Sequence, residues 1–89
     1  MEAKLVSYTT EKLNHSEKSI LSKRLYGYID KSNSSRYTYK REGLLDSKSH
    51  IKISKNTFII SLSDWPPIKD ELENKKANIK EWDIIIKNL

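Results

Sequence analysis

The spacing of hydrophobic residues divides the chain into short alternating and helical segments. A strand is predicted at about 3–9, where the side chains alternate in polarity along the chain. A helix is predicted at about 15–29, because Asn14 is a suitable N-cap and Glu17 is placed to complete a capping box. Gly27 weakens the last turn, so the helix is expected to end either there or two residues later. Its apolar stripe would consist of Ile20, Leu21, Leu25, Tyr28 and Ile29.

The middle of the chain combines a polar loop with an alternating strand. Residues 30–35 are rich in turn formers and contain no apolar residue, which predicts a loop. Residues 36–41 alternate with period two, which predicts a strand that ends before Gly43. One face of this strand would carry Tyr37, Tyr39 and Arg41, and the other Arg36, Thr38 and Lys40.

Two adjacent strands are predicted after a short apolar link. The first is 50–54, with Ile51 and Ile53 facing inward. Lys55-Asn56 is placed to make a two-residue hairpin turn, although the preferred glycine is missing. The second strand, 57–62, is apolar on both faces, so we expect it to be central in the sheet.

The C-terminal part predicts one helix and one strand. The helix runs at about 67–77, with Asp64 as a candidate cap and prolines in its first turn. The strand runs from 80 to 87, and one of its faces is clearly apolar. This apolar face consists of Trp82, Ile84 and Ile86, and we expect it to place Trp82 in the core.

The predicted element order is β-α-β-β-β-α-β in one domain, 1–89. Short strands mixed with two helices favour an α+β class, with both helices on one face of a mainly antiparallel sheet. A ferredoxin-like variant is the nearest named architecture. A winged helix is the alternative, although it would need two or three consecutive helices before the hairpin.

Composition narrows the classes of protein that the chain could belong to. Its 89 residues contain no cysteine, which excludes a disulfide scaffold, a thiol nucleophile and a cysteine-based zinc site. The apolar runs are far shorter than a membrane span of about 20 residues. The N-terminus lacks the apolar core of a signal peptide. We therefore expect a cytoplasmic protein without a membrane partner.

The positive charge is unevenly distributed along the chain. The net charge is +5, but residues 1–56 carry twelve basic and six acidic residues, a net +6. Residues 57–89 carry five basic and six acidic residues, a net −1. Because a partner meets a local field, the first part is the one expected to attract an anionic partner.

Residues 31–55 combine seven basic side chains with two interleaved tyrosines. Lysine and arginine neutralise phosphates, and exposed aromatic rings stack on unpaired bases. The stretch therefore predicts a non-enzymatic module that binds nucleic acid, either RNA or DNA. Its candidate binding residues are Lys31, Arg36, Tyr37, Tyr39, Lys40, Arg41, Lys48, Lys52 and Lys55. The alternative is that Tyr37 and Tyr39 face the core, which would leave only a basic outer face.

Two other functions stay open at this point. The C-terminal part, with Trp65, could dock a protein partner, and the strand 80–87 could pair with a second copy to make a homodimer. A small metal-independent ribonuclease could use His50 for proton transfer. The sequence contains no catalytic motif and only two histidines, so we assign no catalytic residue, no metal site and no cofactor.

Two segments carry a resemblance to known proteins. Residues 25–32, LYGYIDKS, and residues 37–45, YTYKREGLL, are similar to a pattern in small, basic archaeal proteins of unassigned function. The resemblance covers about a quarter of the chain and contains no catalytic signature. It implies an archaeal-type cytosolic protein without indicating an activity.

Overall fold

A computed structural model describes residues 1–32 and 37–89, which fold into six strands and two α-helices. The strands are β1 (Glu2–Thr9), β2 (Tyr28–Ser32), β3 (Tyr37–Arg41), β4 (His50–Ser54), β5 (Thr57–Ser61) and β6 (Asn78–Ile85). The helices are α1 (His15–Tyr26) and α2 (Trp65–Asn74). Two short 3-10 turns, Leu44–Ser47 and Leu62–Asp64, precede β4 and α2.

Four of the strands form one antiparallel sheet in the order β4–β5–β1–β6. Strands β2 and β3 pair with each other in a separate two-stranded ribbon. Without this ribbon, the element order is β-α-β-β-α-β, which is the split arrangement of ferredoxin-like folds. The predicted α+β class is confirmed, and the chain inserts a two-stranded ribbon between α1 and β4.

One hydrophobic cluster fills the space between the sheet and the two helices. Val6 of β1 lies opposite Phe58 of β5, so both side chains project from the same face. Leu25 of α1 and Leu72 of α2 are buried in the same cluster, which places both helices on that face. Each fully buried side chain of this kind contributes about 1.5–3 kcal/mol to stability.

Helix α1 begins as predicted and takes the earlier of its two predicted ends. The Asn14 side chain accepts a hydrogen bond from the Glu17 backbone N–H at 2.9 Å, and the Asn14 N–H donates to the Glu17 carboxylate at 3.0 Å. The helix stops at Tyr26 because Gly27 adopts φ 75°. Tyr28 therefore belongs to β2 and not to the helical stripe.

The predicted loop 30–35 is wrong at its N-terminal end, because Tyr28–Ser32 is the strand β2. Asp30, Lys31 and Ser32 suit a loop by propensity, but each of them pairs with a residue of β3. Backbone pairing therefore overrides local preference in this segment. Residues 33–36, including Arg36, lie outside the described part of the chain.

Both edge strands carry apolar residues on exposed positions. Ile51 and Ile53 of β4 are 45% and 54% exposed, and Trp82 of β6 is 50% exposed, so their predicted burial is wrong. The helix side of β6 carries Glu81 and Asp83, together with Ile79, which packs against the core.

Lysines stabilise these two carboxylates. Lys4 Nζ lies 3.3 Å from Glu81 and 2.6 Å from Asp83, and Lys69 of α2 lies 3.4 Å from Glu81. Burial opposes ionisation of Glu81, but the two lysines outweigh it and lower the pKa of this carboxyl.

Helix α2 starts two residues before the predicted position and brings Trp65 into the core. The Trp65 ring packs edge-on against Phe58, with 6.2 Å between the ring centroids. Asp64 does not cap the helix with its side chain. Its carboxylate instead accepts hydrogen bonds from the Ser61 hydroxyl at 2.8 Å and the Ser49 N–H at 3.3 Å, which lower its pKa. No helix among residues 1–32 and 37–89 has the length and apolar character to cross a membrane.

Candidate nucleic-acid interface

The two glycines of the chain meet where the ribbon leaves the body. Gly27 ends α1, and Gly43 follows β3. A methyl group on Gly27 would collide with the Arg41 carbonyl, and one on Gly43 would collide with backbone atoms of Gly27 and Leu25. This close crossing of two backbones lets β2 and β3 emerge side by side.

The register of the ribbon separates its side chains into two chemically different faces. Tyr28 lies opposite Arg41, and Asp30 lies opposite Tyr39. Tyr37 lies on this same face because side chains two residues apart along a strand point the same way. The other face carries Ile29, Lys31, Thr38 and Lys40. We call these the tyrosine face and the lysine face.

The tyrosine face is open to solvent. Tyr28, Tyr37 and Tyr39 are 42%, 54% and 51% exposed. The alternative in which Tyr37 and Tyr39 enter the core therefore does not hold. Three exposed rings on one face can present flat surfaces to a ligand.

Cations lie against two of these rings. Lys23 Nζ of α1 lies 5.1 Å from the centroid of the Tyr28 ring. The Arg41 guanidinium lies 5.9 Å from the Tyr39 centroid and donates to the Asp30 carboxylate at 3.1 and 3.2 Å. Because Asp30 balances its charge, Arg41 holds the ring and the strand pair in place more than it adds positive field.

A basic groove adjoins the tyrosine face on the body of the protein. Its volume is about 540 Å³, and Tyr28 forms part of its wall. Lys18 and Lys23 of α1 and Lys55 of the β4–β5 turn also line it, and its described lining contains no carboxylate. The groove therefore places lysines, hydroxyl groups and one tyrosine of the ribbon around a single concave surface.

Tyr26 connects this groove with the body. Its hydroxyl donates to the Lys55 carbonyl at 3.2 Å, and burial raises its pKa. Lys52 Nζ lies 4.1 Å from the centroid of the Tyr26 ring. These contacts fix the turn that carries Lys55.

The structure brings together six of the nine predicted residues. Five lie on the ribbon and Lys55 lies in the groove beside it; the five are Lys31, Tyr37, Tyr39, Lys40 and Arg41. Lys52 lies on β4 against Tyr26. Hydrogen bonds from Ser61 and Ser49 lower the pKa of Asp64, and the charge of Lys48 adds to this effect, so Lys48 belongs to the body and not to the ribbon.

Sequence reasoning missed three members of this surface: Tyr28, Lys23 and Lys18. The predicted helical stripe includes Tyr28, and the signal that indicates a strand instead is Gly27 followed by period-two spacing. The two lysines lie on α1, far from residues 31–55 in sequence, so no local pattern links them to the ribbon.

His50 and the acidic residues show no catalytic grouping. The His50 ring nitrogen Nδ1 lies 3.0 Å from the Lys48 carbonyl, to which it can donate. Among the residues described, no three histidine or carboxylate side chains are placed to hold a metal ion.

The chain matches no protein-family model, no curated protein and no solved structure. The resemblance to small archaeal proteins stays a prediction. The geometry of the ribbon and the groove is therefore the basis for a function.

Proposed function

We propose that this protein binds single-stranded nucleic acid through its two-stranded ribbon and the adjoining groove. The exposure of three tyrosines on one face of a basic ribbon is the observation that carries this proposal. Bases stack on the tyrosine face, and phosphates contact the lysine face and the groove lysines. No catalytic step is part of the proposed function.

Stacking favours single strands over duplexes. The bases of a duplex are already stacked on one another, whereas unpaired bases can lie on an aromatic ring. Tyr37 and Tyr39 are separated by about 6.6 Å along β3, since a strand rises about 3.3 Å per residue. This spacing gives each ring room for a separate base.

The test is a binding series with fluorescent oligonucleotides of RNA and DNA, each as single strand and duplex. We expect single strands to bind more tightly, and affinity to fall steeply between about 50 and 200 mM NaCl because phosphate contacts release counterions. Replacing Tyr37 and Tyr39 together by alanine should weaken single-strand binding by roughly tenfold or more.

The matched control replaces the same two tyrosines by phenylalanine, which keeps the rings and removes the hydroxyls. This variant should bind single strands nearly as tightly as the natural chain. Equal binding by the alanine variant, or an affinity insensitive to salt, would contradict the proposal.

A further inference from the structure

The side of the main sheet opposite the helices carries a continuous row of apolar side chains. Ile51 lies opposite Ile59, Ile59 opposite Leu5, and Leu5 opposite Trp82. Directly opposed residues of antiparallel strands project from the same face, so the row crosses all four strands. We call this side of the sheet the open face.

The edge strands show that the open face is not an ordinary solvated surface. In β4, His50 and Lys52 lie on the helix side and Ile51 on the open face. In β6, Glu81 and Asp83 lie on the helix side next to Ile79, whereas Trp82 lies on the open face. A monomer with one covered face is expected to have the opposite arrangement, with apolar residues under the helices and charges in water.

The charge pattern indicates which partner would fit. Charged residues make up 33% of the chain. Among the described residues that the register places on the open face, Lys80 is the one charge, and it lies outside the row. A face whose one charge lies outside the apolar row offers little to phosphates. It can meet an identical face without repulsion, because the basic ribbon belongs to a separate sheet.

We infer that the open face is the interface of a homodimer, in which a second copy of the chain stacks its own open face on the first. Two sheets pack in this way at about 10 Å, with strand directions about 30° apart. The same patch serves both copies, as in the common two-fold dimer. This inference is independent of the proposed function, because it uses the other side of the sheet.

The dimensions of the face set the strength of this dimer. Four strands span about 19 Å, and the eight-residue strands β1 and β6 run about 26 Å. The projected area is roughly 400 Å², which is below the approximately 800 Å² per partner of a standard interface. We therefore expect a reversible dimer with a micromolar dissociation constant.

Sedimentation equilibrium of the full chain tests the inference without nucleic acid. Between about 5 and 500 µM, the mass should rise from 10.4 kDa towards twice that value. High salt should leave the association intact or strengthen it, because the contact is apolar. The variant Ile51→Lys should weaken association by about tenfold or more, since it buries a charge in the interface.

The matched control is Ile20→Lys on α1. Ile20 is 49% exposed, close to the value for Ile51, but it lies away from the sheet. This variant should associate like the natural chain, and thermal unfolding of both variants verifies that they fold. A chain that stays monomeric throughout the range overturns the inference. A dimer unaffected by Ile51→Lys uses another surface, such as the edge of β6, and also overturns it.

Trp82 supplies a second readout. The chain has two tryptophans, and Trp65 is already buried in the monomer. Iodide quenching of tryptophan fluorescence should therefore decrease as concentration rises, because association covers Trp82. If Trp82→Ala instead abolishes oligonucleotide binding by a monomeric chain, the open face binds nucleic acid and the inference fails.

Discussion

At the scale of single residues, the contact between Gly27 and Gly43 determines how the ribbon joins the body. Gly27 adopts a positive φ that side chains rarely tolerate, so strain and space both require glycine there. Gly43 has an ordinary extended backbone, with φ −91°. Position 43 therefore requires glycine only because a side chain would not fit between the two backbones.

The substitution Gly43→Ala tests this steric requirement. The added methyl group would meet backbone atoms that cannot move independently, so we expect a loss of about 1–3 kcal/mol in the free energy of unfolding. Thermal or denaturant unfolding measures it, with Ser16→Ala at an exposed position of α1 as the control. Unchanged stability of Gly43→Ala would show that the two backbones are less closely packed.

The lowered pKa of Asp64 predicts that the stability of the fold depends on pH. Hydrogen bonds from Ser61 and Ser49 lower the pKa of this carboxyl in the folded state. A lowered folded-state pKa contributes stability above the unfolded value, near 3.9, and this contribution is lost as pH falls through the folded value.

Melting curves of the natural chain and Asp64→Asn between about pH 7 and pH 3 measure the effect. The natural chain should melt at the higher temperature near neutral pH, and the difference should shrink as the pH falls below about 4. Other carboxyls titrate in both proteins and cancel in the comparison. A difference that stays constant would mean that the Asp64 charge contributes no stability.

At the scale of elements, the proposed function gives the two faces of the ribbon different roles. The lysine face carries Lys31 and Lys40, which would contact phosphates, whereas the tyrosine face carries the rings that would stack on bases. Replacing both lysines by glutamine should reduce the slope of log affinity against log salt by about 1.4, since each phosphate contact of a single strand contributes about 0.7. Lys87→Gln, an exposed site beyond β6, is the control and should leave the slope unchanged.

Local sequence signals predicted most of the helices and strands, because each of these signals depends only on neighbouring residues. Asn14 and Glu17 marked the start of α1, and the alternation of residues 36–41 marked β3. The side of the sheet on which helices pack depends on the whole chain. Trp82 and Ile51 have the alternation of inward residues, yet they lie on the face without helices.

The candidate site was predicted in part for the same reason. Tyr37, Tyr39 and Lys40 lie close in sequence, so their pattern was visible. Tyr28 approaches them only through the pairing of β2 with β3, and Lys23 only through the contact of α1 with Tyr28. A short stretch of sequence does not show which strands pair with each other.

At the scale of the whole molecule, the protein is more extended than a compact chain of the same length. Its radius of gyration is 14.3 Å, compared with roughly 12 Å expected for 89 residues. A ribbon that pairs with itself and a sheet with one uncovered face both produce such a shape. The proposed binding surface and the proposed dimer interface therefore lie in separate parts of one small molecule.

Replacing residues 28–42 by a short glycine-serine linker tests this separation. The four-stranded sheet and both helices should still unfold cooperatively, because β2 and β3 add no strand to that sheet. Oligonucleotide binding should be lost, while sedimentation should still show the dimer. A variant that fails to fold would contradict the independence of the body from the ribbon.

The crossing of Gly27 and Gly43 has a practical consequence for protein engineering. Both ends of the inserted segment start from one point, where the backbones are already in contact. A foreign hairpin needs only adjacent ends to be grafted there, with the two glycines kept as the attachment points. The fold can then serve as a small cysteine-free scaffold that displays hairpins of chosen sequence.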